Sequence, residues 1–371
     1  MKIVLLDTFF KYGTAGANRQ IGYAKGFKHY GYDVEIVSFC VFDKGDYVGE
    51  PGISVFGLKS ANFNGNKLFR AIYTVFTLFR FLITHIKKTD VLMVCGCEDW
   101  FPIIHMLKRD KIFYECTESP IIVGPKLLPM RWYLSYCKRF NKIFVISNNL
   151  KNWFVTRGIK FESIHIVNMF VDKTRFKNVT EEQHEHYLAY CGTVSDKKDG
   201  VDKLIEVFAQ YHLKFPNRKL YIIGPIYSDA QKKKYEDLIK ELSLIDSVVF
   251  TGQISPDKMP GLLSGAEMLL LIRPNNEQAY YGFPTKLGEY LLTSKPVLMT
   301  NVGNVSDFLE DKVSALLPDA TNHKQIINSM IWVSEHETEA KIIGMKGKEV
   351  AINYFDNIAE TAKVITYFQG I

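Results

Sequence analysis

The most informative stretch of the chain is residues 273–307, which read RPNNEQAYYGFPTKLGEYLLTSKPVLMTNVGNVSD. A polar loop runs up to Gly282, and Pro284 favours a helix start because its missing N–H would have no helical partner there. The spacing of apolar residues predicts a helix over 284–293, and the apolar run at 296–300 predicts a buried strand. The stretch is therefore typical of one repeat of an open α/β sheet.

The same alternation of strand and helix extends in both directions from this stretch. Apolar runs predict strands at 2–7, 33–39, 91–95, 111–115, 142–146, 187–191, 219–223, 248–251 and 266–272. Helical spacing predicts helices at 19–30, 66–87, 99–109, 130–140, 201–215, 230–242, 259–263, 323–334, 337–354 and 358–369. The polar segment 167–186 interrupts the rhythm and is typical of an interdomain linker, although His184 and His186 in it are also possible metal ligands. The pattern predicts an α/β protein with two Rossmann-like domains that face each other across a cleft.

Composition excludes several classes of protein. The 371 residues are 47% hydrophobic and 23% charged, as in an ordinary globular chain and unlike a disordered or collagen-like one. The net charge of +6 divides unevenly, with +9 on residues 1–172 and −3 on residues 173–371. The basic half contains no compact basic run or nucleic-acid motif, so we expect no nucleic-acid partner.

Cysteine usage and hydropathy indicate a reducing compartment. The six cysteines, at positions 40, 95, 97, 116, 137 and 191, form no C-x-x-C pair and lie in or beside apolar runs. The start of the chain is typical of a first strand and not of a signal peptide, because Asp7 interrupts its apolar run. The longest apolar stretch, 71–86, contains Arg80 and His85 and is too short for a membrane span. We therefore expect a cytoplasmic protein.

The start of the helix predicted at 284–293 has the features of an anion site. The amides of Thr285, Lys286 and Leu287 should lack partners within the helix, and such amides bind phosphate well. Gly282 allows a ligand to approach the backbone, and Glu289 lies one turn along the same face, where a carboxylate can accept hydroxyls. These parts suit a nucleoside diphosphate, but their spacing fits a capped helix with a solvated glutamate equally well.

The stretch resembles the donor-binding motif of family 4 retaining glycosyltransferases, which have the GT-B fold. That motif contains Glu-Gly-Phe, usually Pro, then a second Glu eight residues after the first; Gly282, Phe283, Pro284 and Glu289 match it. The resemblance implies that Glu289 binds the nucleotide ribose. The first Glu is replaced by Tyr281, at the position that contacts the donor sugar in the family.

Other parts of the chain extend this resemblance. Gly16 resembles the family's N-terminal glycine loop, and Cys191-Gly192-Thr193…Lys198 resembles its "G-R…K-G-V" segment. The family's Arg and Lys in that segment neutralise the diphosphate; Thr193 takes the Arg position, and Lys198 is the better candidate for the Lys than Lys197. We expect Arg273 to compensate for the missing cation.

The resemblance also implies a mechanism and a set of site residues. Transfer from a nucleotide-sugar is expected to retain the anomeric configuration without a metal or other cofactor, as a hexosyltransferase. A family His that contacts the donor sugar is absent here, and a carboxylate, Glu118 or alternatively Glu115, is expected to take its place. The implied catalytic residues are Glu118, Lys198 and Glu289, and the implied donor-binding residues are Gly16, Lys198, Arg273, Tyr281, Gly282, Phe283, Thr285, Lys286, Leu287 and Glu289.

The predicted domains are 1–172 for the acceptor, 173–355 for the donor, and a C-terminal helix, 356–371, that packs back on the first domain. The implied acceptor is a lipid-linked glycan or a growing surface polysaccharide. Two stretches of the first domain mix cations with aromatic residues: Lys67, Arg70, Tyr73, Phe76, Phe79, Arg80 and Phe81, and then Lys126, Arg131, Trp132, Tyr133, Tyr136, Lys138, Arg139 and Phe140.

Such stretches favour peripheral contact with an anionic membrane at the inner face of the plasma membrane, although helices with core aromatics and a basic rim show the same pattern. A GT-B nucleotide-sugar epimerase, a sugar phosphorylase and a degenerate, non-catalytic relative are the alternatives to a transferase.

Overall fold

The structure is a computed structural model that describes residues 1–41, 52–58, 67–106, 110–177, 179 and 186–368. The chain divides into two compact units, one formed by Met1–Phe170 with Asn357–Ile371 and the other by Val171–Asp356. His184 and the side chains of Cys40, Lys67 and Arg70 lie outside the described residues.

Each unit is built on one parallel sheet. In chain order the strands are β1 (Lys2–Phe10), β2 (Asp33–Val41), β3 (Ser54–Gly57), β4 (Val91–Cys95), β5 (Ile112–Cys116), β6 (Lys142–Val145), β7 (Ile164–Ile166), β8 (Tyr187–Cys191), β9 (Lys219–Ile223), β10 (Val248–Gly252), β11 (Met268–Leu271) and β12 (Val297–Met299). The first sheet has the order β3-β2-β1-β4-β5-β6-β7, and the second has the order β10-β9-β8-β11-β12.

Helices connect successive strands. They are α1 (Ala15–His29), α2 (Lys67–Thr84), α3 (Phe101–Ile104), α4 (Pro120–Val123), α5 (Met130–Cys137), α6 (Asn148–Val155), α7 (Asp196–Asp199), α8 (Val201–His212), α9 (Asp229–Glu241), α10 (Met259–Ser264), α11 (Glu277–Tyr281), α12 (Thr285–Leu292), α13 (His323–Glu335), α14 (Glu337–Tyr354) and α15 (Asn357–Ile365). The predicted fold class, two Rossmann-like α/β units, is confirmed.

The local differences from the sequence prediction have simple causes. Strands β3 and β7 and helix α6 were not predicted, because four, three and eight residues are too few for a clear apolar period. The helix predicted at 99–109 is a 3-10 turn, Glu98–Trp100, followed by the single turn of α3. Residues 107–109 lie outside the described part of the chain.

The core of the first unit lies where α1 and α15 cover the sheet. All five residues of β4 are buried, as are all five of β5, which explains why parallel strands read as unbroken apolar runs. Helix α15 crosses α1 at Gly26, where a Cβ atom would lie 2.2 Å from the Thr361 hydroxyl. The close crossing of the two helices therefore requires a glycine, and it attaches the C-terminal helix to the first unit.

Both sheets reverse their strand order at a switch point. In the first unit the order turns at β1 and β4, and in the second it turns at β8 and β11. The loops that leave neighbouring strands at such a point run in opposite directions and open a crevice at the carboxyl edge, where open α/β sheets bind ligands. Each unit therefore has one favoured place for a site.

Asp7 lies at the switch point of the first unit and is covered by α1. It is level with Cys95 in the sheet register, and the buried Gln20 amide of α1 donates to its Oδ2. Burial, with a smaller repulsion from Glu98, raises the pKa of Asp7 to about 7, against the hydrogen bonds donated by Phe9 and Thr8. A carboxyl that holds its proton more strongly when folded makes stability depend on pH.

The wild type is expected to lose stability as the pH rises, and the Asp7→Asn variant is expected not to show this loss. The folded pKa is about 7 and the unfolded one about 3.9, so between these values the unfolded chain releases a proton that the folded chain keeps. The free energy of unfolding should therefore fall between about pH 4 and pH 7, by at most about 4 kcal/mol from this group. Urea denaturation at pH 5 and pH 8 measures the fall. Equal falls in the variant and the wild type would show that Asp7 does not cause it.

Candidate functional site at the switch point of the second unit

The candidate site is assembled from the loops that follow β8 and β11. Strand β8 ends at Cys191 and is followed by Gly192 and the short helix α7, while β11 is followed by Arg273. The two strands are neighbours in the sheet. Most of the residues that the sequence assigned to the donor lie in these loops or at the start of α12.

Asp199 is the buried centre of this site. Its side chain is 2% exposed, and its Oδ2 accepts hydrogen bonds from Lys286 Nζ at 2.6 Å and from the Tyr190 hydroxyl at 2.8 Å. Arg273 Nε lies 3.7 Å from the other carboxylate oxygen. Burial opposes ionisation, but the Lys286 ammonium, with help from Arg273 and Tyr190, holds the pKa of Asp199 below its usual range. The carboxylate is therefore ionised and fixed between two cations.

Two glycines allow these charged groups to meet. Gly200 has a φ of +62°, and a Cβ there would lie 2.2 Å from the carbonyl oxygen of Ile272. At Gly192 a Cβ would lie 2.0 Å from Lys286 Nζ. A side chain at Gly200 would separate the loop after β8 from the end of β11, and one at Gly192 would displace the Lys286 ammonium group.

The sequence assigned Lys198 and Arg273 to the donor, and the structure places them side by side. Arg273 Nε donates to the carbonyl oxygen of Lys198 at 3.3 Å. The Lys198 side chain is half-buried, whereas Arg273 is only 3% exposed. Arg273 therefore contributes its charge from inside the protein, and Lys198 is the more accessible of the two cations.

Helix α12 begins at Thr285, one residue later than predicted, because Pro284 is its N-cap residue and not its first helical residue. The amide of Leu287 donates to the carbonyl oxygen of Pro284 at 3.0 Å, contrary to the expectation that it lacks a backbone partner, because the first turn closes on Pro284. The amides of Thr285 and Lys286 remain the candidates for an anion. Glu289, one turn further along the helix, is half-buried and accepts a hydrogen bond from Arg175.

Two residues of the predicted motif face the core. Phe283 is 7% exposed and packs against Phe308 and Phe355, with ring centroids 5.5 and 5.6 Å away. Leu287 is completely buried. Their side chains thus hold α12 against the rest of the unit, and contact with a donor would have to come from their backbone.

The neighbouring residues of the motif are more accessible. Tyr281 ends α11, is half-buried, and packs edge-on against Tyr280 with ring centroids 4.9 Å apart. Gly282 is buried and has a φ of −87°, so its backbone conformation does not require glycine.

The first unit contains the remaining predicted residues, Gly16 and Glu118. Gly16 lies exposed in the first turn of α1, and Glu118 is half-buried in the loop after β5. The alternative carboxylate, Glu115, is 5% exposed and accepts a hydrogen bond of 2.8 Å from the buried guanidinium of Arg19. Glu115 is therefore part of the core, and Glu118 is the carboxylate that a ligand can reach.

Sequence reasoning missed three residues of the second-unit site. Asp199 stands beside Lys198 within the segment that resembles the family motif, but nothing in the sequence indicates that it is the buried partner of two cations. Tyr190 was regarded only as part of a strand. Arg175 lies 114 positions before Glu289, and no local pattern could have joined them.

The described part of the chain contains neither a metal cluster nor a membrane-spanning helix. Among the residues that the structure describes, no three His, Cys, Asp or Glu side chains are grouped closely enough to hold a metal ion. None of the helices in the same residues is long and apolar enough to cross a membrane.

Comparison with known protein sequences gives a family match for the second unit. Residues 172–350 match the family described as glycosyl transferases group 1. The uncharacterized glycosyltransferases MJ1178 and MJ1607 of Methanocaldococcus jannaschii are 26% identical over 220 residues and 24% identical over 240 residues. These matches cover 59% and 62% of this chain, and only 57% and 56% of the two relatives.

Comparison with solved structures covers the whole chain. Anabaena HepE in complex with UDP-glucose is similar with a TM-score of 0.80 and 16% identity, over 100% of both chains. Sucrose-phosphate synthase from Thermosynechococcus elongatus has a TM-score of 0.77 and 16% identity, over 100% of this chain and 98% of that one. Such low identities show a shared fold alone. The chain has the GT-B fold that its sequence predicted, and its residues 172–350 match the family of glycosyl transferases group 1.

Proposed function

We propose that this chain is a retaining glycosyltransferase that moves a sugar from a nucleotide-sugar donor to a lipid-linked or surface-polysaccharide acceptor. The observation that carries the proposal is the charged cluster at the switch point of the second unit. There Lys286 and Arg273 are both held by the single carboxylate of Asp199. The cluster lies within residues 172–350, the part of the chain that matches the glycosyltransferase family.

The charges of the cluster favour a diphosphate. Lys286 and Arg273 share one buried carboxylate, and Lys198 lies close enough to lower the pKa of Lys286 alongside the larger effect of burial. Three cations gathered at one partly buried site favour an anionic ligand. The backbone start of α12 adds the positive end of its dipole.

Lys286 supports this assignment better than Arg273 does. The sequence led us to expect that Arg273 replaces the cation missing at Thr193, but its guanidinium is 3% exposed. Lys286 Nζ instead lies directly above Gly192, the residue that precedes Thr193. We therefore propose that Lys286 and Lys198 contact the phosphates and that Arg273 supports them through Asp199 and the Lys198 carbonyl.

The proposed chemistry follows from this placement. As the bond between the anomeric carbon and the diphosphate oxygen breaks, negative charge builds on the departing diphosphate. Lys198, Lys286 and the amides of Thr285 and Lys286 would stabilise that charge without reorganising, which is an effective form of catalysis. The acceptor oxygen would bond to the anomeric carbon on the face that the diphosphate leaves, and its proton would pass to the leaving phosphate. Attack on that face retains the configuration, and the step needs no metal ion.

The sugar and the nucleoside would contact other residues. Glu289 would accept hydrogen bonds from the ribose hydroxyls, and Tyr281 would lie near the sugar. Glu118 is the candidate catalytic carboxylate of the first unit. UDP-glucose is present in the complex of HepE, so a uridine donor is the first to be tested.

The first unit is proposed to bind the acceptor at a membrane. Helix α4, the loop after it and the start of α5 carry exposed apolar side chains: Ile121, Ile122, Val123, Leu127 and Trp132 are 53%, 44%, 48%, 79% and 52% exposed. Exposed Lys126 and Arg131 lie among them. The Asp99 carboxylate fixes this surface, because it accepts hydrogen bonds from the amides of residues 126, 127 and 128 at 3.2, 2.8 and 2.9 Å.

Only part of the predicted basic and aromatic stretches belongs to such a surface. Tyr133 and Phe140 are buried in the core, at 0% and 5% exposure, while Phe76 on α2 is 61% exposed. A rigid apolar loop with cations beside it suits the interface of an anionic bilayer. This supports contact at the cytoplasmic face of the membrane.

A donor panel is the first test of the proposed function. UDP-, GDP-, ADP- and CMP-sugars are added to the protein and the melting temperature is measured, since a ligand at 100 times its Kd stabilises the folded state by about 2.7 kcal/mol. One nucleotide class should raise the melting temperature clearly above the others. A retaining transferase should turn over that donor only when an acceptor is added, and NMR should show that an α-linked donor gives an α-linked product. Turnover with free phosphate would support the phosphorylase, and turnover with no acceptor would support the epimerase.

Substitutions at Lys198 and Glu289 should impair transfer in different ways. Lys198→Ala is expected to lower kcat by about 10²- to 10³-fold, because it removes charge stabilisation from the leaving group. Glu289→Gln is expected to raise the KM for the donor by about 10- to 100-fold, because hydrogen bonds to a charged acceptor are worth about 1.5–3 kcal/mol. Steady-state kinetics with the preferred donor measure both effects.

Lys197→Ala and Glu335→Gln are the matched controls. Lys197 is the exposed neighbour of Lys198, and Glu335 lies on α13, where it pairs with Lys214. Near wild-type kinetics in both Lys198→Ala and Glu289→Gln would disprove the site. A loss in Lys197→Ala alone would move the phosphate contact to that residue.

Membrane contact is tested with Leu127 and a matched residue of the second unit. Leu127 and Leu213 are each 79% exposed, so Leu127→Asp and Leu213→Asp remove equally exposed apolar side chains. The wild type and Leu213→Asp should float with vesicles that contain anionic lipid, and Leu127→Asp should float several-fold less. Equal flotation on neutral vesicles, or equal flotation of the two variants, would contradict the docking surface.

A further inference from the structure

Arg175 connects three parts of the second unit through one guanidinium group. It lies in the 3-10 turn Lys173–Phe176, at the beginning of the unit. Its Nη1 donates to Oε1 of Glu289 on α12, and its Nη2 donates to the carbonyl oxygen of Pro256 at 2.9 Å. Pro256 belongs to the loop after β10, so the two nitrogens fix α12 and this loop relative to each other.

We propose that Arg175 is a positioning residue for nucleoside recognition, and this inference rests on the proposed function of Glu289. A carboxylate has about four lone-pair positions on its two oxygens, and Arg175 occupies one oxygen of Glu289. No hydrogen bond to the other oxygen occurs among the residues that the structure describes, so that oxygen is available to a ribose hydroxyl. A partly buried glutamate that is fixed by an arginine loses little rotational freedom when it binds a ligand, which improves affinity.

The turn that contains Arg175 is stabilised without it. Asp172 accepts a hydrogen bond from the amide of Thr174 at 2.9 Å and caps the turn. Lys173 in the same turn pairs with Asp356 at 2.7 Å. The contacts of Arg175 with Glu289 and Pro256 are therefore additional to those that form the turn, and they are directed at the candidate site.

The position of Arg175 predicts which part of the donor depends on it. The phosphates are assigned to Lys198, Lys286 and the start of α12, none of which Arg175 contacts in the described hydrogen bonds. Glu289 is assigned to the ribose, and the loop that contains Pro256 is fixed beside it by Arg175. Loss of Arg175 should therefore weaken binding of a nucleoside diphosphate and leave binding of inorganic pyrophosphate unchanged.

A double-mutant cycle tests whether Arg175 acts through Glu289. Arg175→Ala, Glu289→Gln and the double variant are titrated by calorimetry with the nucleoside diphosphate of the best donor and with pyrophosphate. Each single substitution should weaken nucleoside diphosphate binding by about tenfold, and the double variant should be no weaker than Glu289→Gln. In kinetics, Arg175→Ala should raise the KM for the donor with little change in kcat.

Lys173→Ala is the matched control, because it removes a neighbouring cation of the same turn and should leave the affinity unchanged. Arg175→Lys keeps the charge but not the two-pronged contact, and its affinity should lie between those of wild type and Arg175→Ala; it also keeps the test valid if the alanine variant fails to fold.

Three results would overturn the inference: unchanged affinity in Arg175→Ala, a further loss when Arg175→Ala is added to Glu289→Gln, and an equal loss of pyrophosphate binding. A loss in Arg175→Ala with no loss in Glu289→Gln would instead show that the ribose assignment of the proposed function is wrong.

Discussion

The buried carboxylate of Asp199 is the interaction on which the candidate site depends. It holds Lys286 from α12 and Arg273 from the end of β11, two cations that would otherwise repel each other. Taking an ion out of water costs several kcal/mol, and removing one partner of a buried pair typically costs about 3–5 kcal/mol. The Asp199 carboxylate therefore allows the loop after β11 and the start of α12 to bring their cations close together.

The first unit uses a similar arrangement for a different purpose. Arg19 of α1 is 6% exposed and binds Glu115 at the end of β5, and the same guanidinium donates to the carbonyl oxygens of Asn168 and Val167. Here each donor nitrogen is used within the core, and the carboxylate also accepts a hydrogen bond from the Tyr23 hydroxyl. The pair joins a helix, a strand and the segment after β7, and it presents no free charge to a ligand. The contrast separates a structural ion pair from a cluster in which several cations surround one carboxylate.

The sequence predicted the parts of the structure that depend on local pattern. Strands β8 and β9 and helix α14 have the predicted bounds, because their apolar periods are long or unbroken. The motif around Gly282 located the start of α12, yet the same letters did not show that Phe283 faces an aromatic cluster of the core. Motif residues specify a backbone path, and which side chains face the ligand is decided by packing across the sheet.

The pairings between distant segments were beyond sequence reasoning for the same reason. Glu289 lies 114 positions after Arg175, and Lys286 lies 87 positions after Asp199. Each contact forms only when the strand order brings the two segments to the same edge of the sheet. A charged residue in a single sequence is most often solvated, so nothing marks Asp199 and Arg175 in advance, and the motif that marked Lys286 and Glu289 did not show their partners.

The charge distribution shows how an anion site fits in a unit with an acidic balance. Residues 173–371 carry a net charge of −3, which by itself would repel a diphosphate. Exposed charges more than about 10 Å apart are largely screened by salt at 0.1 M, whereas cations in a partly buried site act through a lower effective dielectric constant and are screened less. The few cations around Asp199 therefore outweigh the larger number of surface carboxylates. The placement of charge, and not its total, makes this edge of the sheet attractive to an anion.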